Sequence, residues 1–433
     1  MKDKANQNQK KNLIQPGFFF KKMAQAFFWL FLLVYPFGQF SKVPQFFLPS
    51  EAKVFLTDIF LFLTLLSWVI FHKITGKKIR LPSLSQPILA FFCLAGFSLL
   101  ANVFFMSFGE SIIASLYLWR WLFYAGLYFF VYDFGFLLWP GLSIQDKLAK
   151  LLAQLGFVLA LLGLIQYLVW PDLRALEFFD WDPHYFRVVS SFLDPGFTGL
   201  VLVFALVLIV SELIRKKKSK KKVWILSAKG VVVYLALALT YSRSSYLAYL
   251  TAAAIIGYFK KSIRFFLIAL TILVLTIFVL PRGSGGEGVK LSRLASIEAR
   301  IKNWHQSWVI FTDHPVWGVG YNRYRYVQRD YGFLGQNWQR THAGAGADSS
   351  LLLVLATTGI TGFFIYLWLW FRMFGLVLAG VKKGKKNDFC LAILAILASL
   401  WTHSFFLNSQ FYPWVMIWVW LLMASVEVLK VDS

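Results

Sequence analysis

Apolar residues gather in twelve long blocks, separated by short polar or basic stretches. The blocks run roughly 24–40, 54–72, 87–105, 112–132, 150–170, 197–213, 224–241, 244–259, 264–280, 349–371, 389–407 and 411–429. Most are near the ~20 residues that an α-helix needs to cross a hydrocarbon core of about 30 Å, so each predicts one span. The first is the shortest and ends near Pro36. The stretch 224–259 is interrupted only by Tyr241-Ser242-Arg243-Ser244, which predicts two spans joined by a tight turn. The expected fold is all-α: a polytopic membrane protein of about twelve transmembrane helices.

One polar segment is long. Residues 281–348 separate the ninth block from the tenth and begin with the flexible stretch Pro281-Arg-Gly-Ser-Gly-Gly. Leu291, Leu294, Ile297, Ile301, Trp304 and Trp308 then recur at helical spacing, the mark of an amphipathic helix whose apolar face lies on the membrane or on the spans. Four units follow. Residues 1–23 form a cytoplasmic tail and 24–280 hold helices 1–9. The long extracytoplasmic loop is 281–348, and 349–433 hold helices 10–12 with a short cytoplasmic tail.

Composition agrees with a lipid solvent. The 433 residues are 58% hydrophobic and 15% charged, against about 25% charged in a soluble domain. The net charge of +24 would suggest nucleic acid in a soluble chain. Its distribution argues otherwise. With the N-terminus placed in the cytoplasm, the inside segments hold 29 of the 44 basic residues and the outside segments 14, nine of them in the long loop. This is the positive-inside pattern, and it makes Arg215-Lys-Lys-Lys-Ser-Lys-Lys-Lys222 a cytoplasmic anchor. No nucleic-acid partner is expected. Both termini are expected in the cytoplasm, with no cleavable signal peptide. Cys93 and Cys390 lie in apolar runs without metal spacing.

Charges in or near the bilayer are costly and carry functional hypotheses. Arg120 lies within the fourth block, as a packing ion pair or as the lining of a polar cavity. Arg243 and Arg187 sit at outward ends of spans, against the charge trend. A guanidinium offers a planar fork matched to phosphate oxygens. Arg243 otherwise reads as a helix-end anchor, and Arg187 as an ordinary loop charge or a partner of Asp194. Arg300 lies on the loop helix. Asp348 opens the tenth block, either capping that helix or activating a hydroxyl nucleophile. His342 lies six residues earlier and has a pKa suited to general-base work. His305, His314 and His403 are weaker candidates. No nucleotide-binding motif and no paired-cysteine metal site occurs, and Asp180-Trp-Asp182 is a weak metal signal.

Three stretches resemble the O-antigen ligase and polymerase superfamily of bacterial envelope glycosyltransferases. They are Thr240-Tyr-Ser-Arg-Ser-Ser-Tyr; Arg300-Ile-Lys-Asn-Trp304 with Phe311-Thr-Asp-His-Pro-Val-Trp-Gly-Val-Gly-Tyr; and Asp348-Ser-Ser-Leu through Thr357-Thr-Gly-Ile-Thr-Gly362. Arg187–Pro195 is a fainter fourth. Family members commonly carry His-Asn where this chain has Asp348-Ser349, so Asp348 or His342 takes the histidine's role. The resemblance implies a GT-C-like transferase of the bacterial cytoplasmic membrane. It would move a glycan from an undecaprenyl-pyrophosphate carrier to a glycan, lipid or protein acceptor on the outer face. Arg243, Arg300 and Arg187 would hold the pyrophosphate, with inversion and with no metal or cofactor. Ligase and polymerase share these motifs. The rival reading is a transporter or flippase of a lipid-linked glycan, which predicts pseudo-symmetric halves and broken spans.

Overall fold

Each of the twelve apolar blocks is mainly helical in the computed structural model. It describes residues 16–44, 52–179, 181–215, 219–281, 289–291, 294–335, 338, 346–382 and 387–431. In chain order the helices are α1 (Pro16–Val34), α2 (Leu56–Thr75), α3 (Ser85–Ala101), α4 (Phe108–Leu138), α5 (Ile144–Val169), α6 (Pro195–Ile214) and α7 (Lys220–Ala238). They continue with α8 (Arg243–Phe259), α9 (Ile263–Val279), α10 (Ala295–Asp313), α11 (Tyr324–Asp330), α12 (Ser350–Lys382), α13 (Asn387–Ser404) and α14 (Pro413–Val431). Among the described residues there are no strands, only two isolated bridges.

Among the described residues, six helices are long and apolar enough to cross a membrane: α1 with the 3₁₀ turn after it, α2, α4, α5, α6 and α12. α3, α9, α13 and α14 are shorter apolar helices. α7 carries four lysines, and α8 is rich in serine and tyrosine, so neither reaches the same hydropathy. Local chemistry sets many of the starts. Ser107 and Glu110 form a capping box on α4, and Asp194, Ser219 and Ser242 cap α6, α7 and α8.

In lipid, helices associate through packing and hydrogen bonds rather than through expulsion of water. The core here is aromatic. Phe28, Phe31, Phe130 and Phe134 are buried on one side, Trp414 and Trp418 on another. Trp418 Nε1 donates to Tyr35 Oη at 2.6 Å, and Tyr35 Oη to the Trp414 carbonyl at 3.3 Å.

Ion pairs tie the connections together at two separate ends of the bundle. At one, Arg80 meets Asp133, Arg215 meets Asp146, and Lys260 meets Asp388. At the other, Arg329 meets Glu110 at 2.6 Å, and Arg323 donates to the Phe105 carbonyl at 2.8 Å.

α12 is broken at Gly359 (φ 66°, ψ −171°). The segment after the break, 360–382, is about 34 Å long at 1.5 Å per residue, enough to span on its own. Backbone groups freed by a break cannot be left bare in a membrane. Here the stretch Pro315–Gly320 takes them up. Val319 N donates to the Ala356 carbonyl at 3.0 Å, Gly320 N to Thr357 at 3.0 Å, and Ile360 N to the Pro315 carbonyl at 2.8 Å. Ser98 Oγ on α3 lies 2.7 Å from the Trp317 carbonyl and 2.8 Å from that of Thr357. A Cβ on Gly359 would sit 2.2 Å from the Val316 carbonyl oxygen, and one on Gly318 2.4 Å from the Thr357 carbonyl carbon. The glycines of the two loop motifs thus serve one main-chain seam. A broken helix is what the transporter reading expected; at this break the main chain of 315–320 pairs with the backbone groups on both sides of Gly359.

The apolar face of the loop helix α10 was expected on the membrane or on the spans, and most of it is not packed on the spans. Asn303, Gln306, Ser307 and Ile310 are buried, while Leu294, Ile297, Ile301 and Trp308 are exposed. Its apolar stripe therefore points away from the spans, and a polar row packs inward because the neighbouring loop offers hydrogen bonds. Asn303 Nδ2 donates to the Gly346 carbonyl at 2.8 Å, and Ser307 pairs with Tyr324 at 2.5 Å.

Candidate functional site

The site begins at the turn between α7 and α8. Tyr241 has a left-handed φ of 50°, which reverses the chain. Ser242 then accepts from Ser245 N, and α8 starts at Arg243. The turn's carbonyls are held by Arg187, whose Nε donates to Thr240 O at 2.9 Å and whose second nitrogen reaches Tyr241 O at 3.4 Å. Val188 N adds a bond of 2.8 Å to the Leu239 carbonyl. From below, His403 of α13 places Nε2 at 3.1 Å from Ser244 Oγ and 3.4 Å from Ser245 Oγ, while Nδ1 meets Ser409 Oγ at 2.6 Å. His403 is fully buried, and its place is to fix the first turn of α8.

Arg243 extends from that fixed turn toward α10. It donates to the Leu291 carbonyl at 3.1 Å and to Ser296 Oγ at 3.3 Å. Arg300, one turn further along α10, is half-buried. Burial pulls its pKa down, Asp348 pushes it up, and the nearby Arg243 pulls it down again. Two like charges are thus held within each other's field, as an anion site requires.

Asp348 is held by its main chain. Its N–H donates to Asn303 Oδ1 at 2.7 Å, and its carbonyl accepts from Trp304 Nε1 at 3.2 Å. The capping alternative does not hold, because Ser349 takes that place: its Oγ accepts from Leu352 N at 3.4 Å. The Asp348 carboxyl is pushed up to about 6, first by burial and then by Asp182 and Asp194, while Arg300 opposes the rise. Asp194 caps α6 through Phe197 N at 2.8 Å. Its own carboxyl is raised by burial, against the pull of Arg187 and Arg300.

The structure therefore brings Arg243, Arg300 and Asp348 into one electrostatic cluster, with Arg187, Asp182 and Asp194 at its edge. His342 and Asp180 lie outside the described residues. Arg120 stands apart. It pairs with Asp58 at 2.7 Å, stacks on Tyr117 and Phe55, and lines a small cavity of about 100 Å³ with Tyr321, Asn322 and Asn408. Sequence reasoning undervalued Asp194, Asn303 and His403. Asn303 carried a usable signal, as a polar residue inside the Arg300–Trp304 motif.

The fold and this cluster define a helical membrane protein with a basic, carboxylate-bearing site at one end of its bundle. Residues 228–367 match the family model described as O-antigen ligase, a match that supports a likeness to the O-antigen ligase and polymerase superfamily. The matched segment runs from α7 into α12 and contains Arg243, Arg300, Asp348 and the Gly318–Gly359 seam. No curated protein matches the chain. The domain supports an O-antigen ligase or polymerase type of role in polysaccharide biosynthesis.

Proposed function

We propose that the protein transfers a glycan from a polyprenyl (undecaprenyl) pyrophosphate carrier to an acceptor hydroxyl, as an O-antigen ligase or surface-polysaccharide polymerase. The observation that carries the reading is that Arg300 lies between Arg243, on one side, and the Asp348 carboxyl, on the other, within the matched segment. A pyrophosphate leaving group needs positive charge more than it needs an acid. Two guanidinium groups in a water-poor site supply it where charge develops. Arg187 adds its charge from the edge and holds the turn that aims Arg243.

Asp348 accepts the proton of the acceptor hydroxyl. The acceptor oxygen bonds to the anomeric carbon as the bond to the pyrophosphate oxygen breaks, and the electron pair leaves with the carrier. Attack opposite the leaving group inverts the anomeric centre. The guanidinium groups do the neutralising that a metal would otherwise do. His342 is the second candidate for the base. The positive-inside count puts this end of the bundle outside the bacterial cytoplasmic membrane, with twelve spans and both termini within the cytoplasm.

The test is a transfer assay on purified protein in liposomes, with a polyprenyl-pyrophosphate oligosaccharide, candidate acceptors and EDTA. Release of free carrier with a lengthened or transferred glycan supports the proposal, and the acceptor consumed separates polymerase from ligase. Movement of the lipid-linked glycan across the bilayer without transfer would overturn it.

A further inference from the structure

At the end of the bundle away from the arginine cluster, α5, α6 and α7 part to leave a pocket of about 430 Å³, within the range of ligand sites. Its floor is apolar, made by Leu208, Ile209 and Phe389, all buried, with Ala153 and Leu226 beside them. Its rim is basic: Lys150, Arg215, Lys221, Lys222 and Lys229 against one lining carboxylate, Glu212. Glu212 is shared between Arg215 at 3.1 Å and Lys222 at 2.9 Å. Arg215 also meets Asp146 at 2.8 Å. Two carboxylates therefore face five cations. α7 begins at this rim, and the first amides of its 19 residues add partial positive charge. Trp224, 73% exposed, stands on the same turn of α7, where an indole suits the headgroup layer.

Neither half of the pocket explains the other. A rim of cations alone would fit a soluble phosphate but would leave the floor wet. An apolar floor alone would take any lipid tail. We propose that the pocket binds an anionic phospholipid of the leaflet at this end, the cytoplasmic one in the orientation given above. Its phosphate sits on the lysine rim and an acyl chain on the floor between α5 and α6. Such basic pockets between spans suit anionic headgroups.

The experiment uses the full chain in nanodiscs of phosphatidylcholine alone, or with phosphatidylglycerol or cardiolipin added. Retained lipid is read by native mass spectrometry, and stability by thermal unfolding. The expected result is one retained anionic lipid and a raised Tm, with neither effect from phosphatidylcholine. Lys150→Gln with Lys221→Gln should weaken retention roughly tenfold or more, since each basic residue near an anionic headgroup is worth about 1 kcal/mol. Both lysines are exposed, so the pair leaves folding intact. Ala153→Phe fills the floor without changing charge and should abolish retention. Equal retention of phosphatidylcholine, or retention unchanged in both variants, overturns the proposal. So does displacement by inorganic phosphate that itself reproduces the Tm rise. None of these readouts involves glycan transfer, so this proposal and the proposed function fail separately.

Discussion

Asp348 offers the sharpest test, because its environment fixes both the size and the sign of the expected effects. Burial and the carboxylates Asp182 and Asp194 move it from 3.8 to about 6, with Arg300 opposing. Each pKa unit corresponds to 1.36 kcal/mol, so keeping this group ionised at neutral pH costs the folded protein up to about 3 kcal/mol. The folded-state pKa lies above the unfolded one. Stability therefore falls as pH rises from about 4 to about 6 and stays reduced above that. Asp348→Asn should remove the penalty and raise the unfolding temperature at pH 7.5. A base must be deprotonated, so wild-type kcat/KM should climb through about pH 6 and level off above it. Asp348→Asn should lose about 10²- to 10⁴-fold in transfer and lose that acid limb. Asp182→Asn removes a like charge and should move the limb to lower pH. Arg300→Gln removes the opposing cation and should move the limb of the residual activity to higher pH. The assay is the liposome transfer reaction run over roughly pH 4.5 to 8.5 in steps of about one unit. An acid limb that persists in Asp348→Asn, or a limb that Asp182→Asn leaves in place, refutes the assignment and passes the role to His342.

Three further outcomes can be checked. Arg243→Ala should abolish transfer with normal abundance in the membrane, and Arg243→Lys should restore it only in part because lysine lacks the bidentate fork; loss of abundance instead would mark an anchoring residue. Gly359→Ala should deplete folded protein, since its Cβ would sit 2.2 Å from a carbonyl oxygen at a left-handed φ; an immunoblot of membranes decides it, and normal levels would mean the seam is dispensable. Arg120→Ala should cost about 3–5 kcal/mol by leaving Asp58 unpaired, and adding Asp58→Asn should recover much of the loss in thermal unfolding; equal instability of single and double variants would show that the pair is not the cause.

Much of this protein was legible in its residues alone. The twelve apolar blocks are helical, and six of the described helices are long and apolar enough to cross a membrane, where a bilayer leaves the backbone almost no other way to satisfy its N–H and C=O groups. The turn Tyr241–Ser244 announced the break between two helices, and the outward arginines stood out because charge at a membrane face needs a reason. What sequence could not order was which of these groups meet. Arg243 and Arg300 are far apart in the chain, and only the fixed turn on Arg187 and His403 aims one at the other. The outward turn of the α10 apolar stripe was likewise undecided, since periodicity defines a face but not what covers it. The His314–Gly320 stretch carried part of the family resemblance, with His314 a weaker candidate. Packing made it a backbone plug, because the break at Gly359 frees carbonyls and amides that only another main chain at close range can satisfy.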